Sequence, residues 1–171
     1  MADGKTLIGR LLDADGCLDR GAIHSLLPYG DEFLFVDRVT RLDEVEVEAW
    51  YRIPADAPFL RAHFRGLPVM PGTLIGEGMA QAGTVLVRYH LEDPEDKHVL
   101  ALEVERMRFL EPALPGETLQ FHVQLVTMSR RAARLRGSAR VAQRLVGEGR
   151  VVVGIVEREV LRARMETLCP P

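Results

Sequence analysis

The residues best suited to chemistry are His63 and Glu77. Between Gly66 and Val87 the chain runs 22 residues with one charged side chain, Glu77, and His63 stands just upstream in Ala62-His63-Phe64-Arg65-Gly66-Leu67-Pro68-Val69-Met70-Pro71-Gly72. A lone carboxylate in an apolar segment is paired, neutral or at work, because burying an unpaired charge is costly. An imidazole and a carboxyl group in an apolar pocket can share acid and base duties near neutral pH. Pro71 suits the first turn of a helix. The first N–H groups of a helix lack intrahelical partners and can hold an oxyanion. Gly72 is expected to let a substrate carbonyl approach the backbone with no Cβ in the way.

Acid, base and oxyanion site together fit the elimination of water from a 3-hydroxyacyl thioester. A neutral imidazole takes the proton α to the carbonyl, helix N–H groups stabilise the enolate-like oxygen, and a carboxylic acid protonates the departing hydroxyl. Each residue also has a plainer reading: a hydrogen-bonded loop histidine, a solvated helix glutamate. Their joint placement at an apolar helix entry favours chemistry. Other constellations are missing. There is no Gly-x-Ser-x-Gly elbow, no phosphate-binding glycine loop or dinucleotide fingerprint, and His24, His90, His98 and His122 show no zinc-ligand spacing.

These groups need elements to hold them. Asp19 reads as the cap of a short helix, Arg20 to Leu27, ended by Pro28. Alternation predicts strands at Phe33–Leu42 and Val45–Ile53, joined tightly at Asp43-Glu44, with Val45, Val47, Ala49 and Tyr51 on one face. Residues 54–65 read as a connecting loop with room for one helical turn. One long helix follows from Pro71 to about Leu91. It contains Gly72, Gly76, Gly78 and Gly83, each costing ~1 kcal/mol relative to alanine, so the helix is expected to lie close against a sheet. Strands are expected at 98–109, 117–128, 132–141 and 145–156. The order excludes alternating βα units and predicts an α+β fold, a long antiparallel sheet curled around one central helix. Residues 1–19 read as a loosely docked arm, 20–157 as the single domain and 158–171 as a tail.

A chain of 171 residues, 47% hydrophobic and 27% charged, reads as one globular domain with enough length for a real core. Its formal net charge of −3 argues against general nucleic-acid binding. The 66–87 segment is too interrupted by proline, glycine, Gln81 and Glu77 for a membrane span, and the N-terminus carries no signal-peptide pattern. A cytoplasmic location follows as the expectation. Cys17 and Cys169 leave two readings open, reduced thiols or a terminal disulfide, and fit no metal spacing. Arg134, Arg136 and Arg140 fall on one face of a predicted strand: a solvated face, or a patch for an acidic partner. Arg65 and Arg108 are further candidates.

The segment His63-Phe64, Pro68-Val69-Met70-Pro71-Gly72, Glu77 and Met79-Ala80-Gln81 resembles the active-site motif of the FabZ-type 3-hydroxyacyl-acyl carrier protein dehydratases, which have the hot-dog fold. The likeness extends to Leu26-Leu27-Pro28, Phe33-Leu34-Phe35-Val36-Asp37-Arg38 and Met107-Arg108-Phe109, and spans residues 23–157. It implies dehydration of carrier-bound (3R)-3-hydroxyacyl thioesters to trans-2-enoyl thioesters, with His63 and Glu77 as the catalytic pair. It also implies an oxyanion site and tunnel entry around Phe64, Val69, Gly72, Thr73, Gln81 and Phe109. No cofactor or metal is expected, the acyl chain being carried on the phosphopantetheine of an acyl carrier protein. A dimer is expected, with His63 of one subunit facing Glu77 of the other, and further assembly to a hexamer is open. The chain departs from the family at Ala62, Arg65 and Pro28-Tyr29-Gly30-Asp31-Glu32-Phe33. A hot-dog thioesterase, with Glu77 activating water, and a non-catalytic acyl-binding module remain as alternatives.

Overall fold

The computed structural model describes residues 3–168. In chain order the elements are helices α1 (Gly4–Gly9) and α2 (Arg20–Leu26), strands β1 (Arg38–Leu42) and β2 (Glu46–Arg52), helices α3 (Pro58–His63) and α4 (Gly72–Tyr89), strands β3 (Lys97–Phe109), β4 (Thr118–Met128), β5 (Ala132–Val141) and β6 (Arg144–Glu157), and helix α5 (Arg158–Leu168). The six strands form one antiparallel sheet in the order β1-β2-β4-β5-β6-β3. Strands β2 to β6 all pack on α4, as expected for a sheet wrapped around a central helix.

The glycines explain how closely helix and sheet meet. A Cβ on Gly78 would lie 2.5 Å from the Phe121 ring, and one on Gly83 would lie 2.6 Å from Leu135 Cδ1. The helix gives up propensity at these positions, and the sheet approaches its backbone instead. From Ile75 to Arg88 almost every α4 residue is buried, leaving no solvated stripe of the kind a surface helix shows.

Three expectations need correction. The strand expected from Phe33 begins only at Arg38. Leu34, Phe35 and Val36 are all buried, so the segment runs through the core instead of alternating on a sheet. Its backbone is satisfied by a side chain: Phe35 N–H donates to Gln81 Oε1 at 2.8 Å, and Gln81 Nε2 donates to the Phe33 carbonyl at 2.8 Å. Val45 is exposed in the turn, where the Asp43 carboxylate accepts from the Val45 and Glu46 N–H groups at 2.8 and 3.0 Å.

Residues 3–19 are not loosely attached. Gly4 N–H donates to the Leu91 carbonyl at 2.8 Å, Ile8 and Leu18 are buried, and Leu18 forms an antiparallel bridge with Val39. Residues 158–168 form a helix with no buried residue. Cys17 is a buried free thiol; Cys169 lies outside the described residues.

Candidate active site

His63 closes α3, a six-residue helix with Pro58 in its first turn. The chain then reverses at Gly66, whose φ of +73° lies in the left-handed region that favours glycine. The reversal brings the Val69 carbonyl back to His63 Nδ1 at 3.0 Å. A carbonyl only accepts, so Nδ1 carries the proton and Nε2 of the neutral ring keeps its lone pair. Phe64 stacks on the imidazole, with ring centroids 3.9 Å apart. The loop is anchored by Met70 N–H donating to the Ala113 carbonyl at 2.9 Å.

His63 lines a cavity of about 260 Å³ with Val69, Gly72, Ile75 and Phe109. Pro71 precedes α4 without a side-chain cap, and the first helical turn closes through Leu74 and Ile75 onto the Pro71 carbonyl. The N–H groups of Gly72 and Thr73 therefore have no intrahelical acceptor. Gly72 also has a packing purpose that the sequence did not suggest. A Cβ there would meet the Phe109 ring at 2.5 Å, so the missing side chain makes room for Phe109, which then walls the cavity beside the helix entry.

Glu77 points elsewhere. It lies five positions after Gly72, or ~140° around the helix at 3.6 residues per turn, and it is not among the residues lining the His63 cavity. Gln81, one turn on, donates from Nε2 to Glu77 Oε1 at 3.0 Å. Gln81 was expected to meet substrate. It is fully buried, with its amide committed to Phe33, Phe35 and Glu77, so it orients the carboxylate instead.

Tyr29 is a residue the sequence reading missed. Burial pushes its phenol up to about 12, and the negative charge of the neighbouring Glu77 carboxylate adds to that effect. Tyr29 thus keeps its phenol proton beside Glu77 at neutral pH. On the same side of α4, Phe33, Phe35, Tyr51, Phe59 and Leu74 line a groove of about 760 Å³. Phe35 meets Phe33, Tyr51 and Phe59 edge-on, at centroid distances of 5.2 to 6.1 Å.

The remaining candidates are dispersed. Thr73 and Phe64 are exposed near the helix entry, and Arg65 is exposed in the loop after His63. Arg134, Arg136 and Arg140 do share one exposed face of β5, the face turned away from α4. Arg134 pairs with Glu105 at 3.2 Å, Arg108 pairs with Glu148, and Arg140 donates to the Gln143 carbonyl at 3.2 Å. Among the described residues no group of three or more His, Cys, Asp or Glu is arranged to hold a metal ion, and no helix is long and apolar enough to cross a membrane.

A curved antiparallel sheet around a buried central helix defines the hot-dog class. A chain of the dehydratase heterocomplex ApeI:P from Xenorhabdus doucetiae superposes with a TM-score of 0.70 at 16% identity, covering 84% of this chain and 96% of that one. A hot-dog-like protein from Thermanaerovibrio acidaminovorans superposes with a TM-score of 0.64 at 15% identity, covering 82% and 97%. Within that class the chain belongs to the FabA-like domain family, whose model matches residues 27–155. It is 37% identical over 148 residues to the 3-hydroxyacyl-acyl-carrier-protein dehydratase FabZ of Nitratidesulfovibrio vulgaris (strain DSM 19637 / Miyazaki F), covering 85% of this chain and 96% of that protein. It is 36% identical over 145 residues to the FabZ of Myxococcus xanthus, covering 83% and 94%.

Proposed function

We propose that this chain dehydrates carrier-bound (3R)-3-hydroxyacyl thioesters to trans-2-enoyl thioesters in fatty acid or related lipid synthesis. The observation that carries the mechanism is the His63 Nδ1 to Val69 hydrogen bond, which leaves Nε2 basic in a cavity that also holds the uncapped start of α4. Nε2 takes the proton from the carbon α to the thioester. The Gly72 and Thr73 N–H groups receive the negative charge on the carbonyl oxygen. The C3 hydroxyl departs as water with a proton from Glu77, and the carbon–carbon double bond forms. A proton passed from the imidazolium back to the carboxylate through solvent resets the site. The groove beside α4, whose lining combines Phe33, Phe35, Tyr51 and Phe59 with charged residues such as Arg20, Glu32 and Asp56, offers aromatic surface for the acyl chain. No metal and no cofactor of the protein's own enters these steps.

One chain supplies only half of this site, because Glu77 faces away from the His63 cavity. The edge strand β3 offers the remedy. Leu102 and Val104 are 65% and 59% exposed on it, and a second copy pairing there gives a dimer in which His63 of one subunit serves with Glu77 of the other. Assembly of such dimers into a hexamer is compatible with this seam. The substrate arrives on an acyl carrier protein in the cytoplasm, received first by Arg65 in the loop after His63, with Arg108, Arg134, Arg136 and Arg140 on the outer sheet face adding to the attractive field.

The test is mass spectrometry of a 3-hydroxyacyl-carrier protein after incubation. Loss of one water supports dehydration, and release of the acyl chain would instead make the protein a thioesterase. His63→Ala and Glu77→Gln should each lower turnover by ~10²-fold or more in a folded protein. A mixture of the two variants should regain part of the activity, since some mixed dimers hold one intact site. A folded Glu77→Gln protein with normal turnover would remove Glu77 from the mechanism.

A further inference from the structure

The sheet face turned away from α4 holds a groove of about 670 Å³ between β4, β5, β6 and the end of β3. We propose that this groove binds a doubly charged phosphoryl group carried by a small molecule. Three observations converge on it. Arg136 and Arg150 lie directly opposite each other in the β5–β6 register, and like charges so placed repel. Neither makes an ion pair within 4 Å among the described residues, nor does Arg106, which lines the same groove. Glu105, opposite Arg150 in the β3–β6 register, is engaged by Arg134, and Glu148 is engaged by Arg108. The local carboxylates are therefore spent, and three guanidinium groups converge without one.

The backbone also departs from regularity to bring them there. The β3–β6 register shifts between Glu105 and Arg108, and Arg106 sits in this bulge with φ +49°, a conformation that costs energy for a residue other than glycine. In an unbroken strand Arg106 and Arg108 would face α4. The bulge turns both toward the groove and leaves Met107 against Gly76 and Gly149. Ser138 adds a hydroxyl to the lining. Forked guanidinium donors around a concavity match the oxygens of a phosphate or diphosphate. The concavity has the size of a small-molecule site, which favours a small ligand over the convex surface of a protein partner.

The bulge links the groove to the candidate active site. By shifting the strand's phase it also sets Phe109 on the α4 side, over Gly72. An anion clamped by Arg106 would hold that phase.

The test is calorimetric titration of the wild-type protein with pyrophosphate at constant ionic strength, alongside thermal unfolding. Binding with a dissociation constant of about 1 mM or below is expected, with 10 mM pyrophosphate raising Tm by about 3 °C or more. Sodium chloride of matched ionic strength should do neither. Arg136→Gln and Arg150→Gln should each weaken pyrophosphate binding about tenfold or more. Without anion both variants should be at least as stable as the wild type, because a repelling pair has been relieved; an arginine with a purely structural role would instead lower Tm on removal. An equal response of wild type and variants would overturn the proposal. So would the absence of pyrophosphate binding together with weakened carrier-protein binding in Arg136→Gln, which would assign the face to the carrier. Dehydratase activity is not the readout, so failure here leaves the proposed reaction standing.

Discussion

The two edges of the sheet are treated in opposite ways. The β1 edge is closed by the chain itself: Leu18 and Val39 exchange N–H to carbonyl bonds at 2.9 and 3.0 Å, and Asp13 reaches Arg38 at 2.8 Å just outside. The β3 edge is thirteen residues long, carries the exposed apolar side chains Leu100, Leu102 and Val104, and has no covering segment among the described residues. An exposed apolar edge is an aggregation hazard that folded proteins blunt with charge, bulges or cover. Here β3 carries bulges, but its apolar side chains remain. The difference teaches that the sheet has one direction left in which to grow, and it is the direction in which the proposed dimer would bring His63 of one copy to Glu77 of the other.

The strongest way to break this comparison is to charge the open edge. Leu102→Lys with Val104→Lys should separate the proposed dimer in analytical ultracentrifugation and lower turnover by ~10²-fold or more, since each proposed site then lacks its acid or its base. Circular dichroism should be unchanged, because both side chains are exposed in the isolated chain. A fully active dimer carrying both lysines would mean that the two copies meet elsewhere.

The two edges also differ in how far they could be read from sequence. The open edge was legible as a long apolar strand at 98–109, within a residue of its observed start. The closing segment was not. Helix α1 has six residues and only Ile8 as a deeply buried apolar anchor, too little for a periodic signal. Its docking depends on a tertiary fit, since a Cβ on Gly4 would lie 1.9 Å from the Arg88 carbonyl oxygen. The proposed pair could be singled out because His63 and Glu77 stand out by type against an apolar run. Their orienting partners were not. Gln81 acts on Glu77 by way of helix spacing and on Phe33 and Phe35 by long-range contact, and Tyr29 reaches Glu77 only through the fold. The arginine face of β5 followed from period-2 spacing, but which of its members would find carboxylates depended on the register of β3 and β6.

A smaller effect is expected at the closed edge, and of a different kind. Ile8→Ala removes a fully buried side chain at a cost of about 2–5 kcal/mol, lowering Tm on the order of 5–15 °C. The dissociation constant of the proposed dimer and the turnover per folded molecule should stay within about twofold of wild type, because α1 packs at the far end of α4 from Gly72. Loss of dimer without loss of Tm would reverse the roles assigned to the two edges.

The smallest effect should come from acid. Asp3, Asp13 and Asp43 all titrate below their ordinary 3.8. The largest cause is a backbone N–H in each case, from Thr6, Cys17 and Val45, and the Arg38 and Arg41 guanidinium groups also help at Asp13 and Asp43. A carboxylate whose folded pKa is depressed contributes stability that is fully present above its unfolded value and is lost as pH falls through the folded one. The closed edge should therefore hold unchanged from pH 7 to about 4 and loosen only below it. All three groups are solvent-exposed, so the opening should be local. Hydrogen exchange at the Leu18 and Val39 amides, corrected for the intrinsic acid dependence, should quicken below that point, while the central β4 amides of Leu119 and Phe121 remain protected. Exchange at Leu18 and Val39 that quickens already between pH 7 and 5 would mean that these carboxylates are not what fastens the N-terminal segment to β1.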